Sequence, residues 1–88
     1  MKIKNGFLLR EVGSLAVVIA VGDKAKDFHK ILTLNKTGAF LFKLLQNGAD
    51  IGVLVNALCD EFDIDNPTAH KDVTAFLERL TALDLLES

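Results

Sequence analysis

Hydrophobic positions follow a strand-like pattern in the first part of this chain. Two apolar runs, Phe7–Val12 and 15–21, flank Gly13-Ser14. The second run is dense in β-branched residues, and glycine beside serine is typical of a turn, so the pattern predicts an antiparallel hairpin. A polar loop is predicted over 24–30, and a third strand over roughly 30–34.

A helical period begins after the third strand. Asn35 is a strong N-cap type, because its side-chain oxygen can accept from free amides of the first turn. Leucines then recur at helical spacing, at positions 41, 44 and 45. Gly48 stands where a left-handed residue would end the helix, so the first helix is predicted over Lys36–Asn47.

A second helix is predicted from an Asp50 N-cap to about Phe62. Its apolar residues share one face, namely Ile51, Leu54, Val55, Leu58 and Phe62. The third helix should begin at Pro67, with Asn66 before it, because proline's missing amide is unpaired at the first helical position.

Apolar spacing divides the third helix into two faces. The predicted inner face consists of Ala69, Val73, Phe76, Leu77, Leu80 and Leu83. The predicted outer face consists of His70, Lys71, Asp72, Thr74, Glu78, Arg79 and Thr81. Leu85 and Leu86 form an apolar tail that should pack back on the core.

This order of elements predicts an α+β fold, a small winged-helix-like domain with a three-stranded antiparallel sheet followed by three helices. We expect residues 1–88 to form a single domain. If the third strand lies outermost beside the last helix, its unpaired edge is a seat for an extended peptide. Such an edge equally invites a homodimer.

Composition indicates the cellular location in which the chain is expected to work. Half of its residues are hydrophobic, which suffices for one core. The longest apolar run, 15–21, is too short to span a membrane, so no membrane partner is expected. A signal peptide is not evident, and the single Cys59 cannot form an internal disulfide. These features favour a cytoplasmic location.

Charge is distributed unevenly around a net value of −2. Residues 1–43 carry eight basic and three acidic side chains, whereas residues 44–88 carry two basic and nine acidic ones. This dipole could steer a charged partner, or it could be solvated surface without a role. On the third helix Lys71 and Arg79 are opposed by Asp72, Glu78 and Asp84, so nucleic-acid binding through that helix is not expected.

Candidate chemistry is sparse. His29 and His70 are far apart in sequence and lack a matching set of ligands, and Cys59 has no histidine near it. The acidic run that ends the second helix lacks the spacing and the central glycine of a calcium loop. We therefore expect neither a metal nor a cofactor, and no catalytic residue is predicted.

The chain resembles the PqqD family, named for coenzyme PQQ synthesis protein D and also called RiPP recognition elements, where RiPPs are ribosomally made and post-translationally modified peptides. The matching segments are 7–11, 34–39, 42–48, 54–65, 72–77 and 83–86. Leu34-Asn35 followed by Thr37-Gly38-Ala39, with Gly48 beyond, is the most specific of them. Family members commonly carry Trp where this chain has Phe42, and Thr or Ser with acidic residues where it has 50–53.

The resemblance implies a peptide chaperone rather than an enzyme. Such a domain holds the leader segment of a precursor peptide as an added strand, and presents the precursor to a modifying enzyme, often a radical S-adenosylmethionine enzyme. Mapped here, the backbone of the third strand would pair with the leader: Lys30, Ile31, Leu32, Thr33 and Leu34. The third helix would supply pockets and a charged mouth: Val73, Leu77, Leu80, Lys71 and Arg79.

Alternatives remain open at this point. By spacing alone, the three apolar residues of that set belong to the helical core, and the two basic ones are ordinary surface charges. A winged-helix nucleic-acid binder, or a subunit that uses the same surface to serve another enzyme, would share the fold.

Overall fold

The chain forms a three-stranded sheet and then three long helices, and a short strand at each end pairs into a second, smaller sheet. The structure is a computed structural model that describes residues 1–27 and 32–87. The strands are β1 (Lys2–Ile3), β2 (Phe7–Val12), β3 (Leu15–Ala20), β4 (Leu32–Leu34) and β5 (Leu86–Glu87). The helices are α1 (Lys24–Asp27), α2 (Lys36–Asn47), α3 (Ile51–Phe62) and α4 (Asn66–Ala82).

The main sheet has the order β2–β3–β4, with both neighbouring pairs antiparallel. Phe7 lies opposite Ala20, and Val12 lies opposite Leu15 across the Gly13-Ser14 turn. Three antiparallel strands followed by three longer helices confirm the predicted α+β fold. The predicted start of the third strand, Lys30 and Ile31, lies outside the described residues.

A second, two-stranded sheet joins the two ends of the described chain and was not predicted. Lys2 pairs with Glu87, and Ile3 pairs with Leu86. The Lys4 amide also donates to the Leu85 carbonyl at 2.8 Å. The predicted loop is wrong over 24–27, where the chain forms one helical turn, α1.

The predicted caps of α2 and α3 are confirmed. Asn35 Oδ1 accepts from the Gly38 amide at 2.9 Å, and Asp50 Oδ1 accepts from the Val53 amide at 2.9 Å. Gly48 ends α2 with a φ of 92°, which an L side chain rarely adopts.

The predicted start of α4 is one residue late. Asp65, not Asn66, is the N-cap, because its Oδ1 accepts from the Thr68 amide at 2.9 Å. Pro67 is therefore the second helical residue, where its missing amide also costs no intrahelical bond.

The Asp65 cap should make stability depend on acid pH. Hydrogen bonds from the Thr68 side chain and then from its backbone amide lower the pKa of Asp65 below its ordinary value of 3.8. A lowered folded-state pKa means that the ionised cap stabilises the fold above the ordinary value, and that this contribution is lost as pH falls through the folded pKa. We expect Asp65→Asn to lower the thermal midpoint at neutral pH, and the difference to shrink in acid. Thermal unfolding monitored by circular dichroism measures the midpoints of both proteins. A difference between the midpoints that is the same at neutral and acid pH would contradict the role of ionised Asp65 as the cap.

The core lies between the main sheet and the three long helices. Its completely buried side chains include Phe42, Leu45, Leu54, Leu58 and Leu80. The predicted inner face of α4 is confirmed from Ala69 to Leu80, and Leu85 of the tail is buried as expected. Ile51 departs from the predicted inner face of α3, because it lies in the first turn and is 41% exposed.

Gly38 lets α2 approach both β4 and α4. A Cβ at this position would lie 3.3 Å from Leu34 Cβ and 3.4 Å from Phe76 Cε1, whereas at Gly52 it would meet only Asp50 Oδ1, at 3.4 Å. Alanine restores roughly 1 kcal/mol of helix propensity in either helix. We therefore expect Gly52→Ala to raise stability to urea by up to about that amount. Gly38→Ala should gain less or lose stability, because Leu34 Cβ is fixed to the β4 backbone. Equal gains in both variants would show that the Gly38 contact is not restrictive.

Candidate functional site

The outer edge of β4 is open within the described part of the chain. Among the described residues, β4 is paired on one side only, with β3. In that pairing Leu32 lies opposite Val18, and Leu34 lies opposite Ala16. The Thr33 carbonyl instead accepts a long hydrogen bond from Arg79 Nη2 of α4, at 3.4 Å. A strand residue directs its amide and its carbonyl to the same side, so the Thr33 amide also faces the open edge. Thr33 therefore offers one donor and one acceptor to an added strand.

A groove separates this edge from α4, and we call it the edge groove. Its volume is about 540 Å³, within the range of ligand clefts. Its first wall comes from the hairpin, β4 and the start of α2: Leu15, Thr33, Leu34, Asn35, Thr37, Gly38 and Leu41. Its second wall comes from α4: Asp72, Ala75, Phe76 and Arg79. An extended segment laid in this groove would lie beside the amide and the carbonyl of Thr33.

The α4 wall carries opposite charges at its two ends. Asp72 and Arg79 are two turns apart on one face of the helix, about 10 Å along its axis, and Ala75 and Phe76 lie between them. Both charged side chains are exposed, and neither joins a salt bridge among residues 1–27 and 32–87. The wall is therefore acidic, then apolar, then basic.

The structure separates the predicted site residues into three groups. Thr33, Leu34 and Arg79 line the edge groove. Leu32, Val73, Leu77 and Leu80 are buried in the core, as Leu34 also is, but they do not line the groove, and Leu77 borders a depression on the other side of α4. Lys71 is exposed but is not part of either wall, while Lys30 and Ile31 lie outside the described residues.

Sequence reasoning missed the residues that form most of the α4 wall. The apolar spacing places Phe76 in the core and Asp72 on the solvated face, yet they lie together beside β4. The same spacing indicates no role for Ala75. The available signal was the spacing 72, 75, 76 and 79, which places four residues on one helical face, but its mixture of charged and apolar types resembles an ordinary helix border.

Other chemistry is limited in the part of the chain that the structure describes. No group of three potential metal ligands comes together there. Cys59 is half-buried, and among residues 1–27 and 32–87 no buried side-chain nitrogen or oxygen is left without a hydrogen-bond partner. None of the described helices is long and apolar enough to cross a bilayer.

Two solved structures of proteins in complex with peptides have folds similar to this one. The structure of TbiB1 in complex with the TbiA(beta) leader peptide matches with a TM-score of 0.79 and 26% identity, over 100% of this chain and 96% of that one. Lasso peptide synthetase B1 complexed with the leader peptide matches with a TM-score of 0.75 and 16% identity, over 99% and 96%. At that lower identity the likeness shows the fold alone.

A comparison with curated proteins gives no match. The family model for coenzyme PQQ synthesis protein D (PqqD) matches residues 9–86, which include both walls of the edge groove. The chain is therefore a member of the PqqD family.

Proposed function

We propose that this chain is a non-catalytic adaptor that binds the leader segment of a ribosomally made precursor peptide. The leader adds as a strand to the open edge of β4 and lies in the edge groove against α4. The adaptor then presents the rest of the precursor to a modifying enzyme, with a radical S-adenosylmethionine enzyme as the first candidate. The observation that carries the proposal is the Thr33 backbone, whose donor and acceptor both face a groove.

The family and the structural neighbours support this proposal. TbiB1 and lasso peptide synthetase B1 are each complexed with a leader peptide, and the TbiB1 match extends over the whole of this chain. The main sheet here also has the architecture that strand addition requires, because its last strand is paired on one side only among the described residues.

Strand addition divides recognition between backbone and side chains. The peptide amide opposite Thr33 would donate to the Thr33 carbonyl, which now accepts the long bond from Arg79, and the peptide carbonyl would accept from the Thr33 amide. Main-chain bonds of this kind contribute affinity without selecting a sequence. Every second side chain of the bound peptide would face α4. The α4 wall of the edge groove would therefore determine which peptide sequences bind.

The same edge limits what else the adaptor can do. A second copy of the chain could add its own edge strand at Thr33, so homodimerisation and leader binding compete for one surface. The modification chemistry belongs to the partner enzyme, and the complex forms in the cytoplasm, where the ribosome releases the precursor.

An NMR titration tests the proposal. The peptide is a candidate leader, chosen from a short reading frame encoded beside a peptide-modifying enzyme. We expect amide shifts concentrated at Thr33, Asn35 and Gly38 and along 72–79. Shifts confined to the opposite side of α4, around Thr74 and Thr81, would contradict strand addition. Duplex DNA is the comparison ligand, and binding that weakens steeply with salt would favour a nucleic-acid function instead.

A further inference from the structure

We propose that the edge groove selects its peptide by the order of charge along it: a basic residue, then an apolar one, then an acidic one, at every second position from the N-terminal side. This inference rests on the proposed function and deepens it by defining the class of peptide. It starts from the asymmetry of the α4 wall, which has Asp72 at one end and Arg79 at the other.

The relative direction of β4 and α4 fixes which end of the peptide meets which charge. Arg79 lies beside Thr33, whereas Phe76, one turn earlier in α4, lies beside Gly38, which follows β4 in the chain. The two elements therefore run in opposite directions along the groove. An added strand antiparallel to β4 consequently runs in the same direction as α4, from the Asp72 end to the Arg79 end.

Antiparallel addition is the favoured arrangement for this sheet. Both existing strand pairs are antiparallel. Antiparallel pairing is also slightly more stable per residue than parallel pairing. The N-terminal part of the bound segment therefore meets the carboxylate, and its C-terminal part meets the guanidinium.

Spacing sets the positions within the peptide. Side chains on one face of a strand recur about every 6.7 Å, so positions i, i+2 and i+4 span about 13 Å. The two charges of the wall are about 10 Å apart along the helix, and long side chains can make up the difference. Ala75 and Phe76 face the middle position, which should therefore be apolar.

Arg79 couples backbone pairing to this choice of charge. Before binding, its guanidinium donates to the Thr33 carbonyl, the acceptor that an added strand needs. Once a peptide amide also donates to that carbonyl, a carboxylate at i+4 offers the guanidinium a stronger, charge-assisted acceptor than the shared carbonyl. A basic side chain at that position would instead leave two cations together.

Two peptides of identical composition test the order. The first is Thr-Lys-Thr-Leu-Thr-Glu-Thr with blocked ends, and the second exchanges its Lys and Glu. We expect the first to bind about 5-fold to 20-fold more tightly at low salt, since two partly exposed ion pairs contribute modestly. Raising the salt should reduce the preference. Fluorescence anisotropy and the Thr33 amide shift are the readouts.

Charge exchange in the protein should reverse the preference. The double variant Asp72→Lys with Arg79→Glu is expected to bind the second peptide more tightly than the first. The control is Lys71→Glu with Glu78→Lys, which exchanges one charge of each sign on the same helix outside the edge groove. The control should retain the original preference.

The outcomes separate this inference from the proposed function. Equal binding of both peptides with a shift at Thr33 would overturn the charge order and leave strand addition in place. Tighter binding of the second peptide to the unaltered protein would overturn the assigned order. If neither peptide moves the Thr33 resonance and the candidate leader also fails to bind, both proposals fall.

Discussion

Replacing Thr33 by proline is expected to lower the affinity for a leader peptide by at least about tenfold, and by up to about a hundredfold. Proline has no amide hydrogen, so the bound peptide would lose one main-chain bond and retain an unsatisfied carbonyl. Because Thr33 faces the open edge, the folded sheet itself should keep its ladder to β3. Isothermal titration calorimetry with the candidate leader measures the change.

Two matched variants make this result specific. Thr33→Val keeps the amide and suits an exposed strand position, so it should bind normally. Leu32 is buried, and its amide faces β3 rather than the open edge. Leu32→Pro removes that amide and should therefore weaken the pairing of β4 with β3. Unchanged affinity in Thr33→Pro, with an intact circular dichroism spectrum, would rule out pairing at this residue.

Truncating Phe42 to alanine is expected to cost about 3–5 kcal/mol of unfolding free energy. Its side chain has no solvent exposure and belongs to the core shared by the sheet and the helices. A chain of this size has a total unfolding free energy of about 4–13 kcal/mol, so the loss removes at least about a quarter of it, and at the low end of that range it unfolds the variant at room temperature. Urea denaturation followed by circular dichroism gives the value.

Phe40 is the comparison for this truncation. It is only half-buried, and its ring meets Phe62 edge to face with centroids 5.5 Å apart. Phe40→Ala should therefore cost clearly less than Phe42→Ala. Equal losses at the two positions would mean that the ring of Phe42 is not the centre of the core.

The elements between Phe7 and Ala82 were largely predictable because local chemistry and long-range packing agree there. The hairpin combines β-branched runs with a glycine turn, and the two caps at Asn35 and Asp50 are formed by the residues that the sequence indicated. The inner face of α4 follows from its spacing, because a helix with one apolar stripe can bury only that stripe.

The two ends of the chain carried no comparable signal. β1 and β5 have two residues each, too few to show a period of two, and their pairing joins positions more than eighty residues apart. α1 is a single turn within a polar stretch. At the start of α4, Asp65 and Asn66 are both good caps, and only the bond from Thr68 distinguishes them.

The location of the candidate site followed from topology, whereas its side chains did not. An edge strand beside the last helix could be inferred from the order of elements, and the edge groove lies there. The apolar residues expected to line it, Val73 and Leu80, are completely buried. The groove uses the border of the apolar stripe, where Phe76 is partly shared with the core, and a spacing argument cannot choose between two adjacent faces of one helix.

The position of the first residue bears on how the molecule can be tethered. The Met1 ammonium donates to the Ala49 carbonyl at 3.0 Å, and Met1 lines a depression with Thr74, Leu77 and Thr81, on the flank of α4 away from the edge groove. Glu87 lies beside Lys2 in the small sheet, so both extremities emerge together. A biotin tag or a fused protein attached at either extremity would therefore leave the groove turned toward the solution, and surface immobilisation should not block peptide access.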